Sequence, residues 1–334
     1  MSVGAGSPDV PGAGTKPGWA ESDAIELRRH LGGETILITG ADGMLGRGFV
    51  EALNEIGGRS RVIALPHEQL DVTDGSAVLR YAEVAPNVIL HCAGMALADE
   101  CERDPTRAFE VHVDGTANVC SLARATGAKL FYPQSVFIFD GAEVPVNEST
   151  IPNPQMVYGR AKLEAERCVL AQVPAALSVR MAGFFGGDEK DKNFVGQFTG
   201  TLAALLKSGG GECEVGSRRW QPTYTLDHAR NVLLLLALDR AGIYHMGSSG
   251  EASFHDVAKA CVEELGLGEH IRVVRRADDE GFRGEAAQRP DRMVTATLRL
   301  DREGLNRHRP WKVGLQDYLR RSHFDPIRRP GLLT

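Results

Sequence analysis

A short β-branched and apolar run, Thr35-Ile36-Leu37-Ile38-Thr39, leads directly into Gly40-Ala41-Asp42-Gly43-Met44-Leu45-Gly46. No other stretch restricts the chain so tightly. The run reads as a strand buried on both faces, as strands of parallel sheets are. An amphipathic helix follows through about Ile56. Small residues at the junction permit a tight turn and let backbone amides and the helix N-terminus approach a pyrophosphate. The spacing Gly-x-x-Gly-x-x-Gly differs from the Gly-x-Gly-x-x-Gly dinucleotide fingerprint but shares its physical logic, and strand-before, helix-after is the context that logic needs. Gly40, Asp42, Gly43, Met44, Leu45 and Gly46 are therefore expected to line a dinucleotide. A glycine turn that binds nothing is the alternative.

The alternation continues down the chain. Residues 61–65, 87–91, 129–133, 176–180 and 242–245 read as strands, and 106–126, 193–207, 227–238 and 254–265 as helices, with a shorter helix at 24–31. Strands separated by helices imply an α/β fold with a doubly wound parallel sheet and right-handed crossovers. Residues 1 to about 20 are Gly, Pro, Ala and Ser with almost no apolar anchor, and read as a disordered tail.

The end of the second strand bears on cofactor choice. An acid there would hold the ribose hydroxyls of NAD, whereas a basic group would accept the 2′-phosphate of NADP. The sequence offers Pro66 and His67, with Glu68 close by and Arg47 just beyond the glycine turn. NADP(H) is favoured over NAD(H), with His67 as a plain loop residue the other reading. Asp71-Val72-Thr73-Asp74 reads as a helix-capping turn, from which Asp71 and Val72 could reach the adenine. Cys92-Ala93-Gly94 would let the backbone lie against the cofactor. His91 reads as a packed strand residue.

Chemistry enters with Ser135 at the end of the fourth strand and Tyr158 and Lys162 on the next helix. Positions four apart share a helix face, so the phenol and the ammonium of Tyr158-Gly159-Arg160-Ala161-Lys162 can converge. With a serine hydroxyl they could protonate a carbonyl oxygen while hydride reaches its carbon. An ordinary solvated pair and a turn serine are the bland readings.

Composition narrows the partners. A formal charge of −6 over 334 residues argues against nucleic acid. No apolar run approaches the roughly 20 residues that span a bilayer, and no basic-then-apolar leader precedes the domain. The six cysteines include no Cys-x-x-Cys pair, which suits reduced thiols in a cytoplasmic protein without a metal site.

Taken together, Gly40 to Gly46, Leu70-Asp71-Val72-Thr73-Asp74, His91-Cys92-Ala93-Gly94, Phe139-Asp140-Gly141, Val157-Tyr158-Gly159-Arg160-Ala161-Lys162, Asn193-Phe194-Val195, Pro222-Thr223-Tyr224 and Gln288-Arg289-Pro290 resemble the extended short-chain dehydrogenase/reductase family. More narrowly they resemble its dTDP-4-dehydrorhamnose reductase group, over roughly residues 34 to 322. The resemblance implies a Rossmann domain (34–182 plus about 222–250) and a smaller C-terminal α/β substrate lobe (about 183–221 plus 251–325), with 1–33 as tail and lead-in. It implies reduction of the 4-keto group of a nucleotide-diphospho-deoxysugar, with Ser135 in the Ser/Thr place, Tyr158 as acid and Lys162 on the ribose. Two departures stand out. Val136 and Phe137 occupy positions where the rhamnose-pathway enzymes place an Asp-Tyr pair on the sugar, and His112 replaces a usual asparagine.

Lys162 and an oxidised nicotinamide are expected to lower the Tyr158 pKa. A substrate lobe should grip a diphosphate through arginines, for which Arg218, Arg219, Arg289 and Arg292 are candidates against plain solvation. Trp220 would stack on a base or sugar, or pack in the lobe. A homodimer is expected by analogy alone. An epimerase or dehydratase on the same fold is the second enzyme reading, and a non-catalytic dinucleotide-binding regulatory subunit the reading from another class.

Overall fold

The computed structural model describes residues 20–57, 59–276 and 286–328. The tail expected for residues 1 to about 20 falls, except for Ala20, outside them. A six-stranded parallel sheet forms the centre, in the spatial order Gly242–Met246, Leu177–Met181, Lys129–Ser135, Val88–His91, Thr35–Thr39, Arg61–Leu65. The first strand pairs with the second on one side and with the third on the other, Thr39 lying opposite both Leu65 and His91. Strand order therefore reverses between the first and third strands. The crevice outside their carboxyl ends is where ligands bind in open α/β sheets.

Alternation along the strands builds two cores. Ile36, Ile38, Leu90 and Phe131 point to one face, where they meet Phe49 and Leu53 of the helix Met44–Ile56 and Leu233 of the helix Thr225–Ala237. Leu37, Ile89, Leu130 and Tyr132 point to the other, against Val119, Leu122 and Ala123. Phe49, Leu37 and Leu130 have no exposed surface, and each such burial contributes about 1.5–3 kcal/mol. This two-sided burial explains why the first and third strands are near-continuous apolar runs, while the second, at the sheet edge, is largely exposed.

The helix expected over 106–126 is three segments: Pro105–Phe109, a π-helical turn Glu110–Asp114, and Gly115–Thr126. Asp104 caps the first by accepting from Arg107 N–H at 3.0 Å. Gly115 lets the third press on the turn at 71–74, since a Cβ there would lie 2.7 Å from Val72 Cγ2.

C-terminal to the fifth strand lie smaller pairings: Arg219–Trp220 between Ala252–Ser253 and Arg292–Met293, Gly211–Val215 beside Ile271–Arg275, and Phe184–Phe185 beside Thr223–Tyr224. Ser253 starts the helix Phe254–Glu264 with a capping box, accepting from Asp256 N–H while Asp256 accepts from Ser253 N–H. No described helix is long and apolar enough to cross a membrane. All six cysteines are free. Among the described residues no group of three or more metal-ligating side chains assembles.

Candidate active site

The glycine turn sits at the switch point. Gly40 takes φ 61°, and a Cβ on it would lie 2.7 Å from the backbone of Ala93. The turn and Cys92-Ala93-Gly94 thus touch backbone to backbone. A Cβ on Gly46 would lie 2.4 Å from the Gly40 carbonyl oxygen, so the helix can start only where side chains are missing. No side chain caps Met44–Ile56, which leaves its first amides for an anion. Such a cradle fits a dinucleotide pyrophosphate.

Around it the structure places the other expected residues. His67 is exposed beyond the second strand. Asp71 accepts from Thr73 N–H at 2.9 Å and from the Thr73 hydroxyl at 2.7 Å, bonds that hold its carboxyl below the usual range. Val72 is buried. Arg47 donates to the Asp42 carbonyl at 3.2 Å and pairs with Glu189 at 2.6 Å. His91 shares hydrogen bonds with Thr39 at 2.9 Å and Thr116 at 3.1 Å, and burial holds it neutral with a pKa of about 3.

Ser135, Tyr158 and Lys162 come together beside this crevice. Ser135 ends the fourth strand, and its Oγ accepts from Phe137 N–H at 3.2 Å. Tyr158 is in the first turn of the helix Val157–Gln172. Gly159 explains why the helix can approach so closely: a Cβ there would lie 2.3 Å from the Phe137 carbonyl oxygen. Lys162 follows one turn later, its Nζ donating to the Pro133 carbonyl and lying 4.1 Å above the Tyr132 ring. The Lys162 carbonyl accepts from Tyr132 Oη at 3.2 Å and from Gln134 Nε2 at 2.8 Å, while Gln134 Oε1 accepts from Ser135 N–H at 2.7 Å. One buried glutamine amide thus ties the serine's backbone to the lysine's.

Electrostatics depart from expectation. Burial pushes the Tyr158 phenol up to about 12, and the pull downward comes from its hydrogen bond with Ser135. Lys162 does not lower it, because the ammonium is turned to Pro133 and Tyr132. Burial in turn brings Lys162 down to about 7, with Glu166 pushing the other way. His112, inside the π turn, meets the Tyr158 ring edge-on at 5.4 Å and shares a hydrogen bond with the Met95 carbonyl at 3.1 Å. Phe137 flanks the same ring at 6.5 Å, while Val136 is buried.

The arginines singled out for substrate are already engaged. Arg289 donates to both oxygens of Asp99, at 3.2 and 2.7 Å, and Asp99 also accepts from the N–H groups of Ala286 and Ala287. Arg219 and Arg292 share Glu251, at 2.6 and 2.8 Å. Arg218 is half-buried next to them. Trp220 is 9 % exposed and packs on Phe254 and Phe194, so its indole is taken up by an aromatic cluster.

Sequence reasoning passed over Gln134, Asp99, Glu166 and Arg180. Glu166 had a signal, since it continues the Tyr158–Lys162 face by one more turn. The others announce themselves only through partners distant in sequence.

A doubly wound sheet whose switch point carries a glycine cradle, with serine, tyrosine and lysine converging beside it, defines an extended short-chain dehydrogenase/reductase-like protein. Residues 34–324 match the model described as the RmlD substrate binding domain, and the chain belongs to that family. It is 31% identical over 318 residues to a dTDP-4-dehydrorhamnose reductase of Mycolicibacterium smegmatis, covering 92% of this chain and 94% of that one. It is also 31% identical to the methionine adenosyltransferase 2 subunit beta of Xenopus tropicalis, over 91% of this chain and 92% of the relative. Among solved structures, a Bacillus anthracis dTDP-4-dehydrorhamnose reductase in complex with NADP superimposes with a TM-score of 0.76 at 27% identity, covering 86% and 98% of the two chains.

Proposed function

We propose that this protein is an NADP(H)-preferring reductase of the 4-keto group of nucleotide-diphospho-deoxysugars. The observation that carries the reading is the meeting of the Ser135 hydroxyl and the Tyr158 phenol, with Lys162 one helical turn on, beside a glycine cradle shaped for a pyrophosphate. Gly40, Asp42, Gly43, Met44, Leu45 and Gly46 would hold the phosphates, Asp71 and Val72 the adenine side, and Cys92, Ala93 and Gly94 the face of the dinucleotide. The bound reduced dinucleotide supplies the hydride.

The chain's own residues handle the proton. With a pKa of about 12 the Tyr158 phenol stays protonated at neutral pH, so it is a donor to the carbonyl oxygen as charge develops there. General acid help of this kind is worth about 10²- to 10⁴-fold. The Ser135 hydroxyl hydrogen-bonds the same oxygen and steadies its charge. Lys162, one helical turn on, would hold the neighbouring ribose with its ammonium.

A second reading has its own support: the methionine adenosyltransferase 2 subunit beta of Xenopus tropicalis matches at the same 31% identity as the Mycolicibacterium smegmatis reductase. On that reading the chain binds dinucleotide and acts on a partner. The deciding measurement is NADPH consumption by the purified chain with a panel of nucleotide-diphospho-4-keto-6-deoxysugars. Consumption supports the reductase; its absence across the panel, with NADPH still bound, supports the subunit. Cofactor choice is tested by His67→Asp, expected to shift the Kd ratio towards NADH. An unchanged ratio would mean that His67 does not set the choice.

A further inference from the structure

One turn beyond Lys162 the chain buries another charge. Glu166 is 2 % exposed, and its carboxylate is fully engaged. Oε1 accepts from the Ser178 hydroxyl at 2.7 Å and from Arg180 Nε at 3.2 Å, and Oε2 accepts from Arg180 Nη2 at 2.8 Å. Arg180 lies on the fifth strand, 4 % exposed, its guanidinium 5.5 Å from the Phe139 ring. A two-pronged ion pair so far from water is little screened by salt, so a neighbour closer to the carboxylate than to the guanidinium feels the difference of the two charges. Stability alone is a weak reason for keeping it, because apolar residues of similar shape often serve as well as a buried pair.

Lys162 lies on the same helix face, four residues earlier, and the Glu166 charge favours its ammonium. The other groups facing Lys162 offer no anion. His91 and His112 are held neutral, each with a pKa of about 3. Burial pushes the Cys92 thiol, the Tyr132 phenol beneath the ammonium, and Tyr158 all upward, so each keeps its proton. The Pro133 carbonyl supplies only a dipole. Around Glu166 itself stand Ser178, Arg180 and Tyr132, and Arg180 also faces a neutral His245. Among the described residues no ion pair joins Lys162 to Glu166, since Arg180 occupies both carboxylate oxygens.

We propose that Glu166 is the positioning residue for Lys162, the counter-charge that keeps it an ammonium, while Arg180 pins the carboxylate so that it acts by its field rather than by a bond. The ammonium then keeps its donors for the Pro133 carbonyl and for a cofactor ribose. This assignment rests on the reading of Lys162 as a ribose-binding ammonium in the proposed reductase.

The test is the pH dependence of NADPH binding to the purified full chain, followed by fluorescence from pH 5.5 to pH 9. In the wild type, affinity should fall as the pH rises through the titration of Lys162. Glu166→Gln keeps the shape and removes the charge. It should move the midpoint down by about one pH unit, a loss of about tenfold in affinity on the alkaline side that disappears at low pH. The double variant Glu166→Gln with Arg180→Met also removes the buried guanidinium that the single variant leaves unpaired, so it folds even where the single variant does not. Its midpoint should lie below the wild type and above the single variant, because the repulsion from Arg180 is gone too. Coincident midpoints, a pH-independent loss of affinity, the reverse order, or no NADPH binding by the wild type would overturn the assignment. Should the midpoints separate as expected while no keto-sugar is reduced, the reductase reading fails and the counter-charge stands. Keto-sugar reduction with coincident midpoints would do the reverse, keeping the reductase and overturning the counter-charge.

Discussion

The corner that holds Ser135, Tyr158 and Lys162 and the C-terminal segments that hold Arg219, Arg289 and Arg292 solve the problem of placing polar groups in opposite ways. In the corner, charge is scarce and buried, and each group is fixed by backbone partners: Lys162 by the Pro133 carbonyl, Ser135 by Phe137 N–H and Gln134. In the C-terminal segments, charge is plentiful and paired in reach of water, with Arg219 and Arg292 each about half exposed on one shared glutamate. A few buried groups can set chemistry, since their protonation follows from their surroundings. Many exposed pairs set attraction and remain free to exchange partners, because each contributes little.

The sharpest way to break this contrast is Tyr158→Phe. Turnover of a keto-sugar should fall about 10²- to 10⁴-fold while the Kd for NADPH stays near normal; an undiminished rate would remove the phenol as proton donor. Next comes Asp99→Asn, which strips the half-buried clasp on Arg289. Charge-assisted bonds of this kind contribute about 2 kcal/mol, so the urea midpoint should fall measurably without a change in slope, and an unshifted midpoint would place the clasp with the exposed pairs.

Acid separates the two regions. His91 and His112 are neutral in the fold, with pKa values of about 3 against an ordinary 6.5. Their folded values are depressed, so the unfolded chain binds more protons as the pH falls. Stability is full above about pH 6.5 and is lost towards pH 3. Asp99, held at about 2 by Arg289, contributes stability above its unfolded value and loses it only as the pH falls from about 4 towards 2. Denaturation midpoints at pH 7, 5 and 3 should therefore drop first in a manner that His112→Asn reduces, and only later in a manner that Asp99→Asn removes. The smallest effect belongs to Arg219→Ala, at about 0.2–1 kcal/mol, because Arg292 still holds Glu251; a larger loss would mean that the shared pair acts as a unit.

Much of the sheet was legible because its inner strands are buried on both faces and the turns beside them are punctuated by glycine. The glycine turn and the Tyr158–Lys162 spacing were legible for the same reason, being local patterns with a steric cause. Gly159 shows how far that goes: a residue inside the pattern whose role, contact with Phe137, appears only with the turn at 135–138 in place. The π turn was missed because a one-residue shift of phase inside Pro105–Thr126 is hard to tell from ordinary irregularity in an apolar pattern. Trp220, open between stacking and packing, was decided by Phe194 and Phe254, which lie far from it in sequence. The Asp99–Arg289 clasp joins positions too far apart for any spacing rule to connect.

That widened turn at Glu110–Asp114 has an angular consequence. A regular helix advances about 100° per residue, and a π turn absorbs one surplus residue before the normal winding resumes. Everything upstream is thereby rotated relative to everything downstream. Gly115–Thr126 can keep its apolar side on the sheet while Pro105–Phe109 swings round to bring Arg107 to Asp71, 3.4 Å away. The surplus residue works like a half-step in a spiral stair, letting one continuous helix serve two landings that a uniform pitch could not align.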